Sequence, residues 1–306
     1  MTRACRAVAA LAAKAGLGAA IATLLVSLSV SLSAQQPSID VTAVLHRVGE
    51  KVTDYFARAQ SIMCLERVSL QRLDIGYGAA GPARRVDSEL RLSWDPSAEN
   101  PTPTEARTVR QVVRVNGATP RKKDYDNCTT PEQQESEEQA LSMLLPNQRD
   151  KYTFTYGGRD VVDRRDAIVI AFREIRKATV DVSLVKDKED CISFDIEGGM
   201  RGKIWIDAET HDVLRLDQSL GGLVEIPLPR KVTRRGGNLS WTMERLDSTI
   251  RFRRVTFDDP QETLVLPVEA TTLQVTRGSG SPRLRTSTQY LSYRRFITGA
   301  RVLPPQ

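Results

Sequence analysis

Side chains that could carry acid–base, nucleophilic or metal chemistry are sparse in this chain. Two histidines are present, His46 and His211. His46 lies between Leu45 and Arg47 in an amphipathic stretch, and His211 lies between Thr210 and Asp212 in a polar one. Neither stands with a serine or cysteine in a recognisable nucleophile–base motif, so a hydrolytic triad is not indicated. Asp195, Glu197, Asp207 and Asp212 could bind a cation weakly, but they lack the spacing of a calcium loop. Cys64, Cys128 and Cys191 match no zinc spacing. No cofactor, no metal site and no enzymatic activity are therefore expected. Arg67 and Arg215 interrupt apolar strand patterns. An arginine so placed can anchor a carboxylate or phosphate headgroup, or can simply form a surface ion pair.

The N-terminus bears on compartment. Arg3, Arg6 and Lys14 precede an uncharged, Ala- and Ser-rich stretch at 17–34, which ends in small residues before Gln35 and Gln36. This is the pattern of a cleaved signal peptide, expected over 1–34, and a retained membrane anchor is the alternative. An exported chain of periplasmic or extracellular location follows. Three thiols then remain, and one disulfide can form in any of three pairings. Cys64 with Cys191 is the favoured pair, since both sit among apolar neighbours. Without the three basic residues of the leader, 41 basic residues face 38 acidic ones, a net of +3. So small an excess argues against nucleic acid, which needs a concentrated basic face. The short runs at 121–123, 234–235 and 294–295 are solvated faces, or points of attraction to anionic headgroups.

The elements follow from periodicity. Val41, Val44, Leu45, Val48, Val52, Tyr55, Phe56 and Ala59 recur at helical spacing, with Asp40 as N-cap. Gly49 weakens this helix by about 1 kcal/mol relative to alanine. Strands are expected at 63–73, 86–94 and 109–115, the last running into an Asn116-Gly117 turn. Thr130-Pro131-Glu132-Gln133 reads as a capping box opening a second helix, with Leu141, Leu144 and Leu145 on its apolar face. Strands then dominate. The run at 167–172, AIVIAF, is apolar on both faces and reads as a central, covered strand. Residues 176–199 and 218–247 read as insertions. Ile250 and Phe252 hold one phase while Val255 and Phe257 hold the other, which places a β-bulge near Arg253-Arg254. Pro267 marks a strand start or an edge. The total is ten or eleven strands with two helices, in one domain over 35–306.

Residues 201–217, RGKIWIDAETHDVLRLD, form the most informative stretch: a strand, a polar turn and a second strand. It resembles the Gly-x-Ile-Trp-Ile-Asp hairpin of the LolA-like lipoprotein carriers and of their LolB-like and RseB-like relatives. The entry to a late strand through Leu264-Val265-Leu266-Pro267 resembles them too. The resemblance spans roughly residues 41–296 and is specific only in these short pieces. It implies a strongly curved, antiparallel half-barrel with helices on its concave side. It also implies an apolar hollow and, in the carriers, a buried arginine bonded to the lid, to which neither Arg67 nor Arg215 is matched. Trp205 points away from Ile204 and Ile206 and either lines the hollow or packs on the sheet. Whether Leu214 and Leu216 share its face depends on a turn length that stays open. The loop GGLVEIPLPRK supplies Leu223, Val224, Ile226 and Leu228 as a flap over the hollow, as a membrane-touching loop, or as a segment packed on its own domain. The expected function is that of an exported, non-enzymatic binding protein. Its hollow would take the acyl chains of a lipid or lipoprotein, or a partner's apolar segment, with transient membrane contact. The alternative is a cell-envelope interaction or sensor module with a closed core.

Overall fold

The computed structural model describes residues 39–59, 61–93, 107–124, 137–184, 191–231, 240–278 and 283–295. The expected leader at 1–34, Trp94, the expected capping box at 130–133, Cys128, Arg234-Arg235 and Phe296 lie outside them.

Val41–Arg58 forms helix α1, and the side chain of Asp40 caps it by accepting from the backbone N–H groups of Thr42 and Ala43. Its buried stripe is Val44, Leu45, Val48, Gly49, Val52, Tyr55 and Phe56, the face expected from periodicity. Gly49 has a structural reason: a Cβ there would lie 1.7 Å from Arg149 Nη2 and 2.9 Å from the Leu144 carbonyl oxygen.

The strands are β1 (Ile62–Arg72), β2 (Arg84–Ser93), β3 (Arg107–Val115), β4 (Tyr152–Val162), β5 (Arg165–Glu174), β6 (Thr179–Leu184), β7 (Ile192–Glu197), β8 (Met200–Asp207), β9 (Val213–Leu220), β10 (Val224–Pro227), β11 (Ser240–Asp258), β12 (Gln261–Arg277) and β13 (Arg283–Arg295). Eleven of them form one open antiparallel sheet in the order β3-β2-β1-β13-β12-β11-β9-β8-β5-β4, with β10 added beside β11. This matches the expected strand count and the open half-barrel class. Burial alternates along the strands and gives the sheet an α1-facing side and an outer side. Leu90 and Leu92 of β2 share one core with α1 and with Ile168 and Ile170 of β5. Those two strands stand seven places apart in the sheet, about 34 Å if it were flat. One core shared by strands that far apart and by a helix about 10–12 Å across fits a sheet that curves around the helix.

Among the described residues the second expected helix is not α-helical. The residues described there form a 3-10 segment, Glu137–Leu144. Leu141, Met143, Leu144 and Leu145 nevertheless bury beside α1, so the expected apolar side packs inward in a tighter turn. Gly157-Gly158 does not end a strand. β4 runs through it with a register shift between Tyr156 and Gly158, and Gly158 takes φ +113°, a conformation glycine adopts without a Cβ penalty. The run at 167–172 is buried on both faces as expected, but β5 lies next to the edge strand β4 rather than at the sheet's centre. The bulge expected near Arg253-Arg254 sits between Arg251 and Phe252. Its extra residue, Val268, belongs to the partner strand, since Arg251 pairs with Glu269 and Phe252 with Pro267. Pro267 therefore marks that bulge, where a missing N–H costs no ladder bond, and neither begins β12 nor edges the sheet.

The two stretches read as insertions meet each other. Strands β6 and β7 pair as a separate hairpin. Val180, Phe194 and Ile196 of that hairpin pack on a satellite core of Leu220, Val224, Ile226 and Met243. Among the described residues no helix is long and apolar enough to cross a membrane.

Candidate functional site

Alternation along β8 sends Ile204 and Ile206 into the α1-facing core and Trp205 to the outer side. There Trp205 packs with Val162, Ala167, Val169 and Leu214. Its Nε1 donates to Asp160 Oδ2 at 2.9 Å. That bond comes first among the influences holding the Asp160 carboxyl below its ordinary value, followed by the Val161 backbone N–H. Arg215 stacks on Trp205 with its guanidinium carbon 4.6 Å from the ring centroid and is paired to Asp217. Trp205 and Arg215 thus lie on the face turned away from the helix, because the two isoleucines occupy the helix side.

A bulge resolves the leucine pair. Ile204 stands opposite Leu216 and Trp205 opposite Arg215, but Ile206 stands opposite Val213, which leaves Leu214 as the extra residue. Leu216 and Val213 therefore turn inward and Leu214 turns outward to Trp205. Arg67 also belongs to a surface pair: its Nε donates to Asp87 Oδ1 at 3.0 Å.

The loop expected as a flap is strand β10. Val224 and Ile226 are buried in the satellite core, Leu228 is half-buried, and Leu223 alone is well exposed, at 68 %. The segment pairs with β11 from Val224 to Pro227 and packs on its own domain. The favoured disulfide is overturned. Cys64 keeps its thiol, buried in the α1-facing core, and Cys191 is disulfide-bonded to a partner outside the described residues. Cys64 lies on β1 between Leu90 of β2 and the helix side of the core, which absorbs it as a small apolar side chain.

The side chain that ties the helix down is one that sequence reasoning passed over. Arg149 follows the 3-10 segment; its Nε donates to the Leu144 carbonyl at 2.9 Å and its Nη2 donates to the Leu45 carbonyl in α1. Burial lowers its pKa. At the other end of α1, Arg295 Nη2 donates to the Arg58 carbonyl at 2.6 Å. No sequence motif marks these bonds, because their acceptors are main-chain oxygens.

Most of the hollow is occupied by α1 and the 3-10 segment. At the C-terminal half of α1 a cleft of about 310 Å³ remains, bounded by the β8–β9 turn and the adjoining ends of β11 and β12. Val52, Leu141, Val213 and Leu264 form an apolar floor, while Lys51, Arg58 and Arg254 contribute charge at the rim. The turn is fixed by Asp207, which is buried, and whose Oδ1 accepts from the N–H groups of Glu209 and Thr210 and from the Thr210 hydroxyl. Burial pushes the Asp207 carboxyl up, but those bonds and Arg165, at 2.7 Å, together hold it below its ordinary value. Asp212 pairs with Arg254 at 2.7 Å. His211 lines the cleft, and His46 is a solvent-side partner of Glu50. The four acidic residues weighed as cation ligands are thus spread over a buried turn and a separate hairpin. Among the described residues no group of three or more His, Cys, Asp or Glu side chains could hold a metal ion.

No family model matches the chain, and no curated protein matches it. Solved structures are. One is a domain from Vibrio parahaemolyticus provisionally described as an outer membrane lipoprotein-sorting protein. It is 10 % identical with a TM-score of 0.42, over 86 % of this chain and 96 % of that one. A LolA superfamily protein from Nitrosomonas europaea is 10 % identical with a TM-score of 0.34, over 88 % and 99 %. The MucA/MucB complex of Pseudomonas aeruginosa gives 11 % identity and a TM-score of 0.22, over 85 % and 100 %.

Proposed function

We propose that this chain is an exported, non-catalytic binding protein of the cell envelope. Its curved sheet would receive an acyl chain between α1 and the strands, entering at the cleft beside the C-terminal half of the helix. One observation carries this reading. Helix α1, which fills much of the hollow, leaves an apolar-floored cleft at one end, and its ties outside apolar packing include guanidinium bonds from Arg149 and Arg295. Each methylene moved from water onto that floor is worth about 0.8 kcal/mol, so a chain can compete with the helix for the same wall. Charged groups at the rim suit an amphiphile whose polar end stays outside. The occupied hollow favours a second reading, an interaction or sensor module whose core never opens.

Lipid extracted from the protein purified from its host and identified by mass spectrometry, together with titration of a fluorescent fatty acid, separates the two. Saturable binding that is lost in Val265→Trp, which fills the mouth of the cleft, supports carriage. No copurifying lipid and no saturable binding leaves the closed module.

A further inference from the structure

Many arginines on the outer side of the sheet are paired with carboxylates, and one patch departs from that by gathering three cations that are not. Arg215 is paired with Asp217 at 2.5 Å, Arg245 with Asp247, and Arg67 with Asp87 at 3.0 Å. Arg251 and Arg253 share Asp163. Arg215 even stands directly opposite Arg251, yet each has its own carboxylate. Arg173, Arg201 and Lys203 have no such relief. Among the described residues no carboxylate reaches ion-pair distance of any of the three, and the nearby Asp217 and Asp247 are engaged by Arg215 and Arg245.

Register makes the departure sharper. Thr153 stands opposite Arg173, Arg173 opposite Arg201, and Arg201 opposite Ser219, so two arginines face each other in one row across β4, β5, β8 and β9. Lys203 follows in the next row, opposite Ala171 on β5 and, on β9, opposite Asp217, whose carboxylate Arg215 holds. Directly opposed like charges on neighbouring strands lie about 5 Å apart at Cβ and destabilise the pair. Thr153, Ala171, Arg173, Arg201, Lys203 and Ser219 line a shallow groove of about 420 Å³. Two planar guanidinium forks with the Ser219 hydroxyl on one flank form a donor set for a tetrahedral oxyanion, which arginine recognises in bidentate fashion; the Thr153 hydroxyl on the other flank donates to the Arg173 carbonyl.

We propose that this groove binds the phosphoryl group of an anionic phospholipid headgroup and so docks the outer side of β5 and β8 on a membrane surface. The groove is open, and its cations are exposed on a broad sheet face, a shape that meets a layer of headgroups rather than enclosing one small anion. The inference does not depend on whether the hollow takes a ligand, because its groups lie on the opposite side of the sheet.

The test is flotation of the full protein with vesicles of phosphatidylcholine alone, and of phosphatidylcholine mixed with phosphatidylglycerol. Binding to the mixed vesicles only is expected. Arg173→Gln with Arg201→Gln should weaken it roughly thirtyfold, as loss of two cations from an anionic surface does, and Lys203→Gln should weaken it less. Arg72→Gln with Arg114→Gln removes the same charge from exposed positions elsewhere and should leave it unchanged. Folding of each variant is checked by its melting curve, and the Arg173/Arg201 variant should melt no lower than wild type because opposed like charges are removed. Equal loss in both double variants, or unchanged binding in the Arg173/Arg201 variant, overturns the proposal. So does an Arg173-dependent rise in melting temperature with inorganic phosphate alongside no vesicle binding, since that marks a soluble anion as the ligand.

Discussion

Two residues on the α1-facing side show what the interior tolerates. Glu66 and Arg110 form an ion pair at 2.9 Å with side chains 1 % and 3 % exposed. Burial raises the Glu66 carboxyl above its ordinary 4.5, although Arg110 pulls it the other way. A carboxyl whose pKa is raised by folding contributes stability that is full below pH 4.5 and is lost as pH climbs through the raised value. Arg110→Gln strips away the one influence that favours the charged form. It should cost about 3–5 kcal/mol at neutral pH, as orphaned buried charges do. The deficit should shrink below pH 4.5, where the carboxyl is neutral. Urea denaturation at both pH values measures this, and a deficit independent of pH would mean that the pair is not what Arg110 protects. Gly49 makes a second case. Alanine is the better helix former by about 1 kcal/mol, yet Gly49→Ala should destabilise, because the added Cβ meets Arg149 and the Leu144 carbonyl. In an Arg149→Ala background the penalty should fall by more than half, and equal penalties in both backgrounds would show that the guanidinium is not the obstacle. Neither effect is legible in the sequence. Gly49 reads there only as a weak helix position, and Arg149 sits in a polar stretch, NQRDK, with nothing to mark it.

At the scale of elements, local pattern was readable and pairing was not. Helix α1 and the β8–β9 hairpin were plain because their periods repeat within one segment. The opposite placement of Leu214 and Leu216 was hidden, since it arises from an unequal residue count across two strands, Trp205 to Ile206 against Arg215 to Val213. The bulge at Arg251/Phe252 was displaced for the same reason: its extra residue is on the partner strand. What holds the hairpin's register is its turn, and the turn depends on Asp207. Folding lowers that carboxyl's pKa, so its contribution is present above its ordinary 3.8 and is lost as pH falls through the lower folded value. Asp207→Asn should therefore destabilise the protein at neutral pH and flatten the acid limb of its stability curve. Thermal melts across pH 2–7 of wild type and variant check this, and parallel curves would place the acid sensitivity elsewhere.

The molecule as a whole raises the question of whether its hollow opens. Fold class was legible because strand patterns separated by turn residues fill most of the chain. The cleft was not, since it joins residues as distant as Lys51, His211 and Leu264. The cysteines illustrate the same limit: apolar neighbours pointed to both Cys64 and Cys191, but Cys64 keeps its thiol in the α1-facing core while the equally buried Cys191 is bridged elsewhere. Alkylation should modify Cys64 only after unfolding, and peptide mapping without reductant should find Cys191 cross-linked to a peptide other than that of Cys64. A Cys64–Cys191 link would contradict the core placement of Cys64. Opening itself has a direct signature. Helix α1 is joined to the sheet chiefly by side-chain burial, with Arg149 and Arg295 as ties to its main chain. If it can leave the hollow as a unit, its amides should exchange with solvent through a partial opening, at a lower free energy than those of β11 and β12 at the sheet's middle. Arg149→Gln should speed exchange in α1 by roughly tenfold, the equivalent of one lost charged hydrogen bond at about 1.5 kcal/mol, and leave β11 and β12 unchanged. Exchange in α1 that tracks global unfolding in wild type and variant alike would mean that helix and sheet part only when the protein unfolds, and the closed interaction module would then be the function to pursue.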